Sequence, residues 1–328
     1  MLGTLIRRLR LERGISLGAL ADDAGVAPEM LEALEAERVE LIDDSEEFLR
    51  IIDRLEVRQA FTFGQLLDAN QPRRFRAYNV GLMKSGTSSI AGIFGDYRTR
   101  HEFMLLKTSN EYGRYCHGTI SRDEFREFLR HRDVSGALEM DSTSWSFEYV
   151  DFLVDEYPDA LFIFTFRDCY SWLNSVIDFI LWSERIEFTG RLRGRLGIPF
   201  DLARGDAASR DKLVPTMASL AEGFLRLWRE ANEKVLQAVP PERLLIVRTH
   251  EISKSLGRMA EFIGVPADTL IQRRSHLFKT PVKRRILHTM EFDRLNAFCD
   301  QHCGPLMRRH FPELNLKEYL AQTSSAKP

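Results

Sequence analysis

Lys84 stands two residues before Gly86 in the run Val80-Gly-Leu-Met-Lys-Ser-Gly-Thr-Ser-Ser89, between an apolar stretch that begins at Tyr78 and residues fit to start a helix. An ammonium in a glycine-bracketed loop of this kind is chemistry for an anion. Backbone N–H groups of the loop and of the helix start converge on one point, and the hydroxyls of Ser85, Thr87 and Ser88 can add donors there. Gly81 and Gly86 have the spacing of the loop that cradles ATP and GTP phosphates, GxxxxGK[ST], yet Thr87 stands where that loop has its lysine. The cation here precedes the second glycine, which argues against a P-loop kinase or NTPase.

A second anion-binding pattern follows another strand. Leu161-Phe-Ile-Phe-Thr-Phe166 reads as a buried strand, Arg167 follows it directly, and Ser175 comes eight positions later. The lysine-serine-glycine-threonine loop and the Arg167/Ser175 pair together resemble the sulfotransferases that use 3′-phosphoadenosine 5′-phosphosulfate (PAPS). That resemblance implies that Lys84, Ser85, Gly86, Thr87 and Ser88 hold the 5′-phosphosulfate and that Arg167 and Ser175 hold the 3′-phosphate. Ordinary adenine nucleotides lack the 3′-phosphate, so a fork-shaped cation and a hydroxyl aimed at it would discriminate PAPS from them. The resemblance further implies in-line transfer of a sulfuryl group from PAPS, without a metal, to a hydroxyl of a small molecule, natural product or sugar, and less readily to an amine. Lys84 would then neutralise the charge that builds on the bridging oxygen.

An acceptor hydroxyl needs a base within reach. His101 and Glu102 open an expected strand over His101–Leu106, where neighbouring side chains face opposite ways, so one of the two should reach the acceptor. Glutamate followed by an aromatic, Glu102-Phe103, resembles the sugar-modifying enzymes and favours Glu102; His101 keeps the alternative of many small-molecule enzymes. Asp141 and Ser142 resemble the family's acceptor-supporting segment, and both equally suit a helix cap. Trp145 and Trp172 fit stacking on adenine or acceptor, or burial in the core. Three departures from the family stand out. Ser89 replaces a common tryptophan, Cys169 replaces a proline after Arg-Asp, and no glycine-rich basic closing loop is recognisable. The nearest basic run is Lys279, Lys283, Arg284 and Arg285, and Leu181–Lys212, which has no counterpart, is a candidate acceptor lid.

The elements that must position these residues alternate. Strands are expected over Tyr78–Met83, His101–Leu106, Ala137–Met140, Leu161–Phe166 and Arg243–Val247. Helices are expected from Thr87, Ser121, Phe147 and Tyr170, over Lys212–Ala238 and Ser253–Ile263, and over Glu291–His310. The pattern predicts an α/β fold, a three-layer parallel sheet with its binding loops at the carboxyl ends of strands. A polar tail over Ala321–Pro328 is expected to fray.

Residues 1–70 read as a separate helical domain, 71–76 as a linker and 77–328 as the sulfotransferase-like part. Ile6 to Val26 resembles the first half of a Cro/repressor-type helix-turn-helix, with Ser16 as N-cap, Leu17 and Leu20 inward, and Gly25 at the turn. A later helix is expected over Asp44–Leu55. The domain carries 8 arginines against 15 carboxylates, a net charge of −7. DNA affinity is driven by cations, so contact with a protein partner or self-association is expected rather than DNA. A nucleotide-sensing regulator with a DNA-binding N-terminal domain is the competing reading. The whole chain of 328 residues is ordinary for a globular protein, with 44% hydrophobic residues and a net charge of −2. Arg7, Arg8 and Arg10 break up any apolar start and no run approaches a membrane span, so a cytoplasmic, membrane-free protein is expected. Cys116, Cys169, Cys299 and Cys303 are then free thiols, and the last two, near His302 and His310, read as core residues rather than metal ligands. Only 9 of the 46 basic residues are lysine, a bias typical of bacterial genomes rich in GC.

Overall fold

Five short strands, β1 (Ala77–Asn79), β2 (Thr99–His101), β3 (Met140–Ser142), β4 (Leu161–Phe166) and β5 (Leu244–Arg248), pair in parallel in the order β2-β3-β1-β4-β5. The computed structural model describes residues 2–36, 38, 46–55, 72–182, 196, 214–277, 280 and 283–325. Most of the Leu181–Lys212 segment, Lys279, and the boundary at Asn70 and Gln71 lie outside the described residues. Ala77 pairs with Met140 on one side and Leu161 on the other, so β1 is central. The chain leaves β1 toward β2 and later continues from β4 to β5, so the order reverses between β1 and β4. That reversal opens a crevice above their carboxyl ends.

β4 shows why the sheet is buried on both faces. Its apolar run has no polar alternation, as a covered parallel strand requires. Phe162, Phe164 and Phe166 turn to one core with Tyr78, Trp172 and Trp228. Ile163 turns to the other with Ala77, Ile90, Phe94 and Val247. Each fully buried phenylalanine contributes on the order of 1.5–3 kcal/mol of hydrophobic stabilisation before entropic costs. Helices Cys169–Trp182, Ala221–Ala238 and Phe292–His310 cover the first face, and Thr87–Ile93 with Leu256–Ile263 cover the second.

Several boundaries differ from expectation for identifiable reasons. β1 stops at Asn79 because the following backbone turns into the loop, with Gly81 N–H donating to Asn79 Oδ1 (3.2 Å). β2 stops at His101 because Glu102 and Met104 adopt left-handed backbone with φ of 58° and 48°. Helix Leu105–Cys116 then begins where a strand was expected. Ala137 is not in a strand but terminates helix Arg122–Gly136 in the left-handed conformation, which moves β3 to Met140–Ser142. The start of that helix follows the expected rule: Ser121 and Glu124 form a reciprocal capping box. The long helix expected over Lys212–Ala238 is interrupted at Leu220. Of the tail expected to fray, residues 321–325 end a helix, Leu316–Ser325, that Leu316 anchors in the core, and 326–328 lie outside the described residues.

At the N-terminus, helices Leu2–Glu12, Leu17–Ala24, Pro28–Glu35 and Glu46–Arg54 enclose their own cluster of Ile6, Leu20, Leu31, Leu34 and Ile51. Ser16 caps the second helix by accepting from Ala19 N–H (3.1 Å), and Gly25 ends it at φ 64°. Glu35 is turned inward, where Arg10 donates to both of its oxygens (2.6 and 2.7 Å).

Candidate functional site

The loop after β1 is held by its neighbours rather than by its own side chains alone. A Cβ on Gly81 would lie 1.9 Å from Thr165 Oγ1 and 2.6 Å from Thr165 O, so only glycine lets the loop pass this close to β4. Thr165 Oγ1 donates to Asn79 Oδ1 (3.1 Å), and Thr249, just past β5, donates to Ser85 O (2.6 Å). Lys84 itself is left-handed at φ 62°. Its carbonyl accepts from Arg167 Nη1 (2.7 Å), which ties the loop after β1 to the first residue after β4. The Ser85 hydroxyl is spent inside the loop, donating to Leu82 O at 2.5 Å, whereas Lys84, Gly86, Thr87 and Ser88 line a cavity of about 710 Å³.

Arg167 enters the same cavity from β4. Its Nε donates to Ser171 Oγ (2.9 Å), and Asp168 caps the next helix by accepting from Ser171 N–H (2.8 Å). Two turns along that helix, Ser175 also lines the cavity. The crevice between β1 and β4 thus gathers Lys84, Arg167 and Ser175. Electrostatics there are strained in a useful sense. Burial, followed by the nearby charges of Arg167 and Lys283, pulls the Lys84 ammonium down to a pKa of about 7, and Asp178 only partly opposes this. Burial also lowers the pKa of Arg167 and raises that of Asp178. A site that crowds cations at a cost is one that an anion would relieve.

His101 and Glu102 lie on the β2 side of the cavity. Glu102 accepts from Ser144 Oγ (2.6 Å) and faces Ser144 N at 3.3 Å from each oxygen. His101 Nε2 meets Thr87 Oγ1 (3.1 Å) and Ser88 Oγ (3.3 Å). The left-handed turn after His101 is what brings both residues to one cavity, against the expectation that neighbours on a strand diverge.

Asp141 and Ser142, expected to contact an acceptor, are not among the residues lining this cavity. Asp141 accepts from Arg132 Nη1 (2.5 Å) and Thr143 Oγ1 (2.7 Å). Arg132 also donates to Phe103 O (2.6 Å), so the pair braces the Glu102–Met104 turn from behind. Ser142 donates to Thr87 O (2.8 Å) and accepts from Asn79 Nδ2 (3.0 Å), stitching β1 to β3 below the loop. Trp145 and Trp172 are core residues, the latter donating to Met83 O (2.9 Å).

The C-terminal basic run contributes Lys283 to the cavity, and Arg284 N–H docks on Asp178 Oδ1 (2.9 Å). Ser89, in place of a tryptophan, accepts from Leu277 N–H (3.2 Å) and so holds the preceding segment against helix Thr87–Ile93. Ser144, Ser171 and Thr249 escaped sequence reasoning. Ser171 had a signal, its helical i+4 spacing from Arg167, while Ser144 and Thr249 are brought in by tertiary structure alone. Cys169, Cys299 and Cys303 are buried free thiols and Cys116 is exposed. Among the described residues no His, Cys, Asp and Glu group could hold a metal ion, and no helix is long and apolar enough to cross a membrane.

Comparison with known proteins adds a family. The family model described as "Sulfotransferase domain" matches residues 79–270, more than half of the chain and the stretch that contains every cavity residue named from Lys84 to Ser175. Three solved structures are similar at low identity. A sulfotransferase from Alicyclobacillus acidocaldarius has a TM-score of 0.40 and 16% identity, covering 76% of this chain and 99% of its own. Sulfotransferase STF9 from Mycobacterium avium has 0.43 and 11%, covering 92% and 95%, and STF1 from Mycobacterium tuberculosis H37Rv has 0.41 and 11%, covering 93% of each chain. No curated protein sequence matches the chain.

Proposed function

The chain belongs to the sulfotransferase-domain family, matched over residues 79–270, and we propose that it moves a sulfuryl group from PAPS to a hydroxyl of a small molecule, natural product or sugar. The observation that carries this reading is the convergence of Lys84, Arg167 and Ser175 on one cavity at the β1/β4 crevice. The residues present suit the donor. Left-handed Lys84 and Gly86 in the loop after β1, the hydroxyls of Thr87 and Ser88 at the helix start, and Lys283 from the C-terminal run offer donors to a phosphosulfate, and the Arg167 fork with Ser175 offers a place for a 3′-phosphate.

In the transfer, the acceptor oxygen bonds to sulfur as sulfur leaves the bridging oxygen of the phosphate, and the acceptor proton passes to Glu102. Lys84 stabilises the negative charge that forms on the departing oxygen, an interaction stronger in the transition state than before it. Glu102 suits the base because Ser144 holds its carboxylate at the cavity wall. The domain over residues 1–70 serves contact with protein or self-association, since its net charge of −7 opposes DNA. The test is incubation with labelled PAPS and a panel of glycans, phenols and amines, read by mass spectrometry for an added SO₃. Transfer that persists in EDTA is expected. Absence of transfer to every acceptor class, or its loss on chelation, would contradict the proposal.

A further inference from the structure

Three oxygens converge on one imidazole nitrogen. His101 Nε2 lies 3.1 Å from Thr87 Oγ1, 3.3 Å from Ser88 Oγ and 3.4 Å from Glu102 Oε1. All four residues line the cavity. A ring nitrogen either carries a proton and donates, or is bare and accepts. Each hydroxyl has a single proton to give. With Nε2 bare, Thr87 or Ser88 would spend its proton on the ring and turn lone pairs toward the cavity, where they repel an anion. With Nε2 protonated, the ring has one proton to donate and no lone pair there to accept, so neither hydroxyl spends its proton on it and both protons remain for phosphate or sulfonate oxygens.

Glu102 decides between these states. A carboxylate oxygen only accepts, so Oε1 beside Nε2 favours the form in which that nitrogen bears the proton. Ser144 fixes the carboxylate in this place, its hydroxyl donating to the same Oε1 at 2.6 Å. We infer that His101 is a positioning residue of the donor loop: its Nε2–H, maintained by Glu102, turns the Thr87 and Ser88 hydroxyl protons toward the phosphosulfate oxygens. The inference rests on reading the cavity as the PAPS site. It gives the adjacent residues different duties, His101 acting on donor affinity and Glu102 on turnover.

Calorimetric titration with the product nucleotide, 3′-phosphoadenosine 5′-phosphate (PAP), combined with steady-state kinetics at saturating donor, separates the alternatives. Glutamine keeps a terminal N–H near the imidazole Nε2 position, whereas alanine removes it. His101→Ala is expected to weaken PAP binding by about tenfold to a hundredfold, the loss typical of a hydrogen bond serving a charged group. The KM for PAPS should rise in step while kcat changes less, and His101→Gln should bind PAP within about threefold of the unaltered protein. Unchanged PAP affinity in His101→Ala would overturn the inference. So would a loss in His101→Gln as large as in His101→Ala, or a collapse of kcat with PAP affinity intact, which would make His101 the base. Failure of the unaltered protein to bind PAP would instead sink the donor-site reading itself, before any variant is measured.

Discussion

In the proposed reaction Lys84 answers two opposed demands, to be a cation for the donor and to sit buried beside other cations. Its lowered pKa of about 7 expresses the conflict and gives it a direction. The unfolded chain holds a proton on this lysine up to about pH 10.5, the folded donor-free chain only to about 7, so the donor-free protein gains stability as pH rises through that window. Binding PAP should restore the ordinary charge. At about pH 8, titrations in buffers of different ionisation enthalpy should therefore show proton uptake, which should fade at about pH 6 where Lys84 is already charged. Lys84→Ala should lower turnover by about 10²–10³-fold and abolish that uptake, with PAP affinity falling much less. Glu102→Gln should lower kcat by about 10²–10⁴-fold with PAP affinity falling much less, because the amide oxygen can still accept from His101 Nε2–H. A normal rate with only a raised KM in either variant would contradict the assigned roles.

At the scale of elements, the site depends on how closely loops are packed against strands. Gly81→Ala places a methyl against Thr165 Oγ1 and its carbonyl, so a loss of about 1–3 kcal/mol in stability is expected, read as a lower Tm. Asp141→Ala should be worse, about 3–5 kcal/mol, because it strands the buried Arg132 cation. If Asp141 instead served the acceptor, the acceptor KM would rise with little change in Tm. β4 was legible in the sequence because a covered parallel strand is written as a plain apolar run, and Arg167 and Ser175, singled out by their spacing after it, do line one cavity. The loop from Gly81 to Ser88 was legible for the same reason. The turn after β2 was not: nothing about Glu102 or Met104 announces a left-handed backbone, which is imposed from outside by Arg132 on Phe103 O. Asp141 and Ser142 were singled out by resemblance to the family's acceptor-supporting segment; in the structure they lie off the cavity and bond Arg132 and the Thr87 carbonyl, partners that only the tertiary fold supplies. Helix Leu105–Cys116 was missed because it begins at left-handed Met104 with no side-chain cap to mark its start.

For the molecule as a whole, the proposed donor contacts all follow Tyr78, while the N-terminal helices pack around a separate apolar cluster. Removing residues 1–70 should leave PAP affinity within about threefold and change oligomeric state or use of a carrier-bound acceptor, as light scattering and activity assays would show. Tight, sequence-specific DNA binding by the intact chain at physiological salt would contradict the protein-contact reading, since a net charge of −7 opposes phosphate contact. In the proposed reading, the crevice between β1 and β4 recognises the 3′-phosphate that ordinary nucleotides lack. The most direct test of this reading is a calorimetric comparison of PAP with AMP, in the unaltered protein and in Arg167→Ala. PAP should bind at least about a hundredfold more tightly than AMP, and most of this preference should disappear in Arg167→Ala. Equal affinity for the two nucleotides, or a preference that survives the loss of Arg167, would contradict it.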